Sequence, residues 1–220
     1  IPYASSLDHV GYFTTNVKDA AVALEVLAGR DDRDMTTSYK EVEAYASLLN
    51  NDVNGKRIGI IKNIQDAFSD TTIKTAFNDV MEALKAKGAI VEEVVMNEEL
   101  LNVILPVYYI ISNAEATANH SNLDGIRFGM REDGENLEEI MTNSRTKGFS
   151  SLVRKRFVMG SYSLHEENQE KLFRKAQKVR RLIVDELKEK WDRISVALHW
   201  HLFIIYDYKN FRKNWEFFYA

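Results

Sequence analysis

Ser5 and Ser6, with His9 close behind, are the first residues in the chain that could do chemistry. A serine nucleophile needs a base to take its proton and donors to hold the oxyanion. The sequence places neither, and the surrounding IPYASSLDHVG, with Asp8 and Gly11, is turn chemistry, so the serines are expected to hold a loop. His199 and His201 alternate as on a strand, which would put two imidazoles on one face. A metal site takes three or four ligands, and no partner for them is evident. Asp31, Asp32 and Asp34 lack the spacing and closing glutamate of an EF-hand and read as a charged loop. Glu138-Glu139 and Glu166-Glu167 are neighbours along the chain, not facing carboxylates. Tyr108 and Arg156 remain, polar groups in apolar or structured surroundings. On position alone, a buried hydrogen-bonded tyrosine and a surface arginine account for them.

The elements that must position these residues are legible from periodicity. Val17 to Ala28 reads as a helix capped by Asn16 or Thr15, with Asp19 in its first turn and Gly29 after its end. Residues 56–63 and 89–96 read as strands. Between them Thr71 to Lys87 carries Ile73, Phe77, Val80 or Met81, and Leu84 at helical spacing, with Asp70 as cap and Gly88 as stop. Such a unit predicts parallel strands. Its first turn has neither the glycine pattern of a dinucleotide site nor the P-loop lysine. Glu98 to Ser112 begins a helical stretch in which Pro106 either starts a helix or kinks one. Asn113 to Asn119 is small and packable, Asp124-Gly125 is a turn, 137–144 reads as helical, and 151–163 carries Arg154, Lys155 and Arg156 before an apolar stretch. Glu166 to Trp191 reads as the longest helix, with Leu172, Ala176, Val179, Ile183, Leu187 and Trp191 on its apolar face. Lys171, Lys175, Arg180 and Lys188 are expected on a solvated face. The fold class is α/β: a mixed sheet around 56–63 and 89–96 with helices on both faces.

The apolar fraction of 45% suits a folded core, and a net charge of -4 argues against a stand-alone nucleic-acid binder. There is no cysteine, which removes disulfides, thiolate metal sites and a cysteine nucleophile. No apolar run is long enough to span a bilayer. The chain starts at Ile1 with residues that read like the interior of a protein, and 193–220 is strongly aromatic.

Several stretches carry a resemblance. SSLDHVG (from Ser5) and VKDAAVALEVLAG (from Val17) resemble the amidase signature family. LPVYYIISNAEATAN (from Leu105), LDGIRFG (from Leu123), VRKRFVMGSYSL (from Val153) and KAQKVRRLI (from Lys175) are similar to its branch of tRNA-dependent amidotransferase A subunits. The resemblance implies a partial amidase-signature fold, with residues 1–192 as the central part of an amidase domain. It implies hydrolysis of glutamine by a serine nucleophile, a serine on a cis peptide and a lysine. The ammonia would pass to a partner subunit that uses ATP and Mg to convert Glu-tRNA(Gln) or Asp-tRNA(Asn). The B and C subunits of the amidotransferase would be the partners, tRNA would be held mainly by the partner subunit, and the complex would be cytoplasmic, with no membrane involved. The three catalytic residues fall upstream of the match. No catalytic residue, metal or cofactor is therefore expected in this chain, which alone should be inactive.

By its place in LPVYYI, Tyr108 resembles the tyrosine that contacts bound glutamine. By its place in VRKRF, Arg156 resembles the arginine that holds the glutamine carboxylate, a role suited to a guanidinium fork. Three departures stand out. Tyr12 follows Gly11 where proline is usual. The family aspartate for the glutamine amino group has no counterpart. Residues 193–220 replace a proline- and threonine-rich turn with a divergent aromatic tail, either frameshifted or lineage-specific. Uncovered sheet edges and apolar faces predict marginal stability. Two other readings stay open. One is an amidase-signature hydrolase of a different amide, against which YYI and AEA argue. The other is a non-catalytic interaction protein using the tail as its surface.

Overall fold

The computed structural model describes residues 2–35, 37–49, 52–67, 69–191 and 196–197. The chain divides into two units, His9–Val53 and a larger one formed by Ile1–Asp8 with Asn54–Ala220. The histidine pair and the aromatic run of the tail lie outside the described residues.

In the smaller unit, α1 (Val17–Leu27) begins where Asn16 Oδ1 accepts from Asp19 N at 2.8 Å. Asn16, not Thr15, is the cap. The helix buries Ala21, and Glu25 accepts from Ala46 N at 2.7 Å, tying down a 3-10 turn at Tyr45–Leu48. The acidic loop is locally satisfied: Arg30 pairs with Asp32 at 2.7 Å, and Asp31 accepts from Arg33 N at 2.9 Å.

The larger unit starts its sheet with β1 (Arg57–Ile61), followed by the short α2 (Lys62–Asp66), α3 (Thr71–Ala86) and β2 (Ile90–Val94). Lys62 lies 3.0 Å from Glu93 and 3.9 Å from Asp66, and the Glu93 bond, then the Asp66 charge, raise its pKa. Asp70 caps α3 by accepting from Thr72 N and Ile73 N. At the other end Gly88 N reaches Lys85 O and Ala89 N reaches Leu84 O, the paired bonds of a Schellman stop. This requires Gly88 at φ +86°, and a Cβ there would sit 2.3 Å from Asn54 Oδ1. Gly88→Ala is expected to lower stability by about 1–2 kcal/mol, read as a lower midpoint in urea with the slope unchanged.

β1 pairs in parallel with β2 from Arg57↔Ile90 to Ile61↔Val94, as the β-α-β reading requires. On its other edge β1 pairs, again in parallel, with the short β3 (Val196–Ala197), giving the order β2-β1-β3. The α/β class is as expected. The sheet among the described residues is parallel throughout, not mixed, because the third strand also runs with β1. Ile60, Phe77 and Met81 form the core between α3 and the sheet, with Leu84 and Val91 against it.

A helical layer follows. α4 (Glu98–Asn119) is capped by Asn97 and carries Glu98 and Glu99 in its first turn, where the dipole favours anions. Pro106 lies inside it and is exposed, as is Asn102, whose carbonyl loses its helical donor. The alternative in which proline starts the helix is thereby removed. α5 (Leu137–Gly148) and α6 (Ser151–Leu164) start at Asn136 and Ser150 caps. The 166–191 stretch is helical but not uniform: α7 (Glu166–Gln169), a π-helical turn (Glu170–Arg174) and α8 (Lys175–Trp191). The longest α-helix among the described residues is α4, at 22 residues.

α4 packs against α6 and α8. Val107, Ile111 and Ala176 form the core with α8, joined by Leu7, Val103, Ile110, Phe173 and Val179. The α6 side is closer still. Gly160 is buried where a Cβ would fall 2.1 Å from both Asn113 O and Thr117 Oγ1. Thr117 Oγ1 spans the joint, 2.8 Å from Asn113 O and 3.3 Å from Phe157 O. The small residues of 113–119 therefore permit two helix backbones to touch. No helix among the described residues is long and apolar enough to cross a membrane.

Candidate functional site

Helical spacing puts Tyr108, Ser112, Glu115 and Asn119 on one stripe of α4. The C-terminal half of that stripe holds a turn made by Pro2–Asp8. The turn first closes on itself: Asp8 accepts from Tyr3 N at 2.8 Å and Ala4 N at 3.0 Å, and Ala4 O accepts from Leu7 N and Asp8 N, both at 2.8 Å. Asn119 Nδ2 then donates to Tyr3 O at 3.1 Å and Ser5 Oγ at 3.0 Å. Glu115 accepts from Ser6 N at 2.9 Å and from the Ser6 hydroxyl. Leu7 anchors the turn from below by packing on the α4–α8 core.

Two arginines reach this turn from the flanking helices. Arg156, half-buried on α6, donates from Nη1 to the Tyr3 phenol oxygen at 2.9 Å. Arg180, on α8, donates from Nη1 to Ser6 Oγ at 2.7 Å. The Tyr3 ring meets His120 edge-on at 5.6 Å, and His120 leads into an aromatic group with Phe149 and Phe157. Arg145 lies over both phenylalanines and donates to the carbonyls of His120 and Leu123, fixing the end of α4.

Tyr108 and Arg156 are thus both half-buried on helices packed directly against each other. Tyr108 starts the stripe that holds the turn, and Arg156 touches the turn itself. Tyr108 also packs against Tyr109, with ring centroids 5.3 Å apart. Tyr109 in turn lines a mostly apolar pocket of about 310 Å³ with Asn113, Met159, Tyr162 and Leu172. Ser5 and Ser6 are loop serines: their hydroxyls meet an amide, a carboxylate and a guanidinium, the partners of a fixed turn. Arg180 corrects the expectation of a solvated face. Lys171, Lys175 and Lys188 are exposed, but Arg180 is half-buried on Ser6, because the turn from the start of the chain lies across that helix. Glu138, Glu139, Glu166 and Glu167 lie in first turns of helices, a favourable place for carboxylates. Among the described residues no group of three His, Asp or Glu could hold a metal.

Sequence reasoning missed Tyr3, Glu115 and Asn119. A signal existed: Glu115 and Asn119 are polar positions at helical spacing from Tyr108 within an otherwise small-residue stretch.

The fold has counterparts in known proteins. The profile of the Amidase family matches residues 1–199, and the chain belongs to that family. Within it, the chain is 41% identical over 198 residues to the A subunit of glutamyl-tRNA(Gln) amidotransferase from Lactobacillus delbrueckii subsp. bulgaricus, covering 90% of this chain and 41% of that one. It is 36% identical over 198 residues to the protein of the same name from Microcystis aeruginosa, with the same coverage of 90% and 41%. The crystal structure of the glutamyl-tRNA(Gln) amidotransferase A subunit from Thermotoga maritima superposes with a TM-score of 0.64 at 30% identity, over 89% of this chain and 37% of that chain. A bacterial aryl acylamidase of the amidase signature family shares the fold, with a TM-score of 0.61 at 19% identity over 84% of this chain and 34% of that chain. The chain spans 41% of the length of these two curated relatives.

Proposed function

We propose that this chain forms the glutamine-recognising part of the amidase component of a tRNA-dependent amidotransferase. In that cytoplasmic assembly, with the B and C subunits as partners, glutamine is hydrolysed and its ammonia passes to a partner subunit. That subunit uses ATP and Mg to convert Glu-tRNA(Gln) or Asp-tRNA(Asn). Tyr108 and Arg156 hold glutamine, Arg156 through its carboxylate. The serine and lysine chemistry is supplied by residues outside this chain, so the 220-residue chain alone releases no ammonia from glutamine.

The observation that carries this reading is the setting of Arg156. Its guanidinium is half-buried and oriented by a phenol, on the helix that packs against the one bearing Tyr108. A guanidinium offers five donors in a planar fork, a geometry that matches a carboxylate bidentately.

The test uses the intact amidotransferase carrying this sequence. Arg156→Lys is expected to raise the glutamine KM about 10- to 150-fold, the loss of a hydrogen bond to a charged group. Tyr108→Phe is expected to raise it about 2- to 10-fold, the loss of an ordinary one. Amidation supplied with free ammonium should be unchanged in both, since ammonia bypasses glutamine binding. An unchanged glutamine KM in both variants would remove the recognition role.

A further inference from the structure

We infer that Tyr3 is a positioning residue for the carboxylate of the substrate, acting through Arg156; this rests on the glutamine-recognition reading above. Three observations carry it. First, the Tyr3 phenol accepts from Arg156 Nη1 at 2.9 Å across 153 residues of sequence, so it sets the angle of the fork rather than closing a local turn. Second, Tyr3 is itself held from several sides. Asp8 binds Tyr3 N, Asn119 binds Tyr3 O, and His120 meets the ring edge-on. Third, the turn that carries Tyr3 is braced by charge. Ser6 donates its hydroxyl proton to Glu115 and accepts from Arg180, so a carboxylate and a guanidinium share one hydroxyl on the far side of the turn.

The physical consequence is preorganisation. A long arginine side chain loses much rotameric freedom when it binds a carboxylate. A fork already fixed at one nitrogen has less to lose. The phenol accepts in this bond and carries no charge, so it orients the guanidinium without neutralising it.

The experiment compares Tyr3→Phe, Arg156→Lys and the double variant in the intact, assembled amidotransferase. Each is assayed with glutamine and with the glutamine analogue in which the α-carboxylate is a carboxamide. Phenylalanine keeps the ring against His120 and removes only the acceptor. Tyr3→Phe is expected to lower the preference for glutamine over the α-amide about 3- to 10-fold, the effect of one lost hydrogen bond. The loss should lie in the glutamine KM, with α-amide turnover unchanged. In the Arg156→Lys background the same substitution should add nothing. The inference is overturned if Tyr3→Phe leaves the preference intact, weakens both substrates equally, or keeps its effect in the double variant. If Arg156→Lys itself leaves the glutamine KM unchanged, the recognition reading fails and takes this inference with it. An effect of Arg156→Lys without one of Tyr3→Phe removes only the positioning role.

Discussion

Gly160→Ala should cost about 2–3 kcal/mol of stability, the upper part of the range for forcing extra volume into a packed joint. The sign is not obvious from helix preference, since alanine is favoured over glycine within a helix by about 1 kcal/mol. Packing decides it. The new methyl would lie 2.1 Å from Asn113 O and Thr117 Oγ1 and 2.7 Å from Asn113 C. A flexible side chain could move aside, but a backbone carbonyl within α4 cannot move without shifting the helix. The separation of α4 from α6 would also stretch the Thr117 bridge to Phe157 O. Urea melts should show the midpoint falling with an unchanged slope. Gly11→Ala is the control: nothing lies within 4 Å of its Cβ position, and its effect should stay within about 0.5 kcal/mol. A Gly160→Ala protein as stable as that control would mean that the two helices separate at no cost.

Phe77→Ala should cost more, about 3–5 kcal/mol, because a fully buried aromatic leaves both its transfer energy and a cavity. Phe77 is 1% exposed and lies between α3 and the sheet with Ile60 and Met81. The three come from two elements, so the cavity cannot close by a single side chain turning. Phe77→Leu, which keeps most of the volume, should recover most of the loss. Equal midpoints for Phe77→Ala and Phe77→Leu would show that α3 does not depend on this contact for its place on the sheet.

Much of the fold was legible because its signals are local. Asn16 and Asp70 cap helices within a few residues of themselves, and Gly88 stops α3 by its own backbone angle. The β-α-β unit follows from period and order alone. Pro106 was ambiguous because a proline fits both a first turn and a kinked interior, and only the Asn97 cap nine positions earlier separates them. The sheet's third strand was missed because Val196–Ala197 spans only two residues in a region otherwise read as divergent. Arg180 was placed in solvent because a helical wheel sees only its own helix, whereas its partner, Ser6, is 174 residues away. Of the candidate site, Tyr108 and Arg156 were found through likeness to a family. Glu115 and Asn119 share a helical stripe with Tyr108, but their partner, and the part of Tyr3, become visible only when the first turn of the chain is laid on α4.

The π-helical turn at Glu170–Arg174 bears on which changes of length the chain tolerates. A π turn closes over one residue more than an α turn while its ends keep the same facing. Removing a single residue between 170 and 174 would therefore restore ordinary helix and leave Ala176 and Ile183 against the core. The same deletion between 177 and 182 would swing Ile183 by about 100°, one residue's rotation about the helix axis, and carry it out of the protein. A one-residue deletion inside the π turn would thus leave the helical stretches on either side of it in place, which no deletion further along α8 could do.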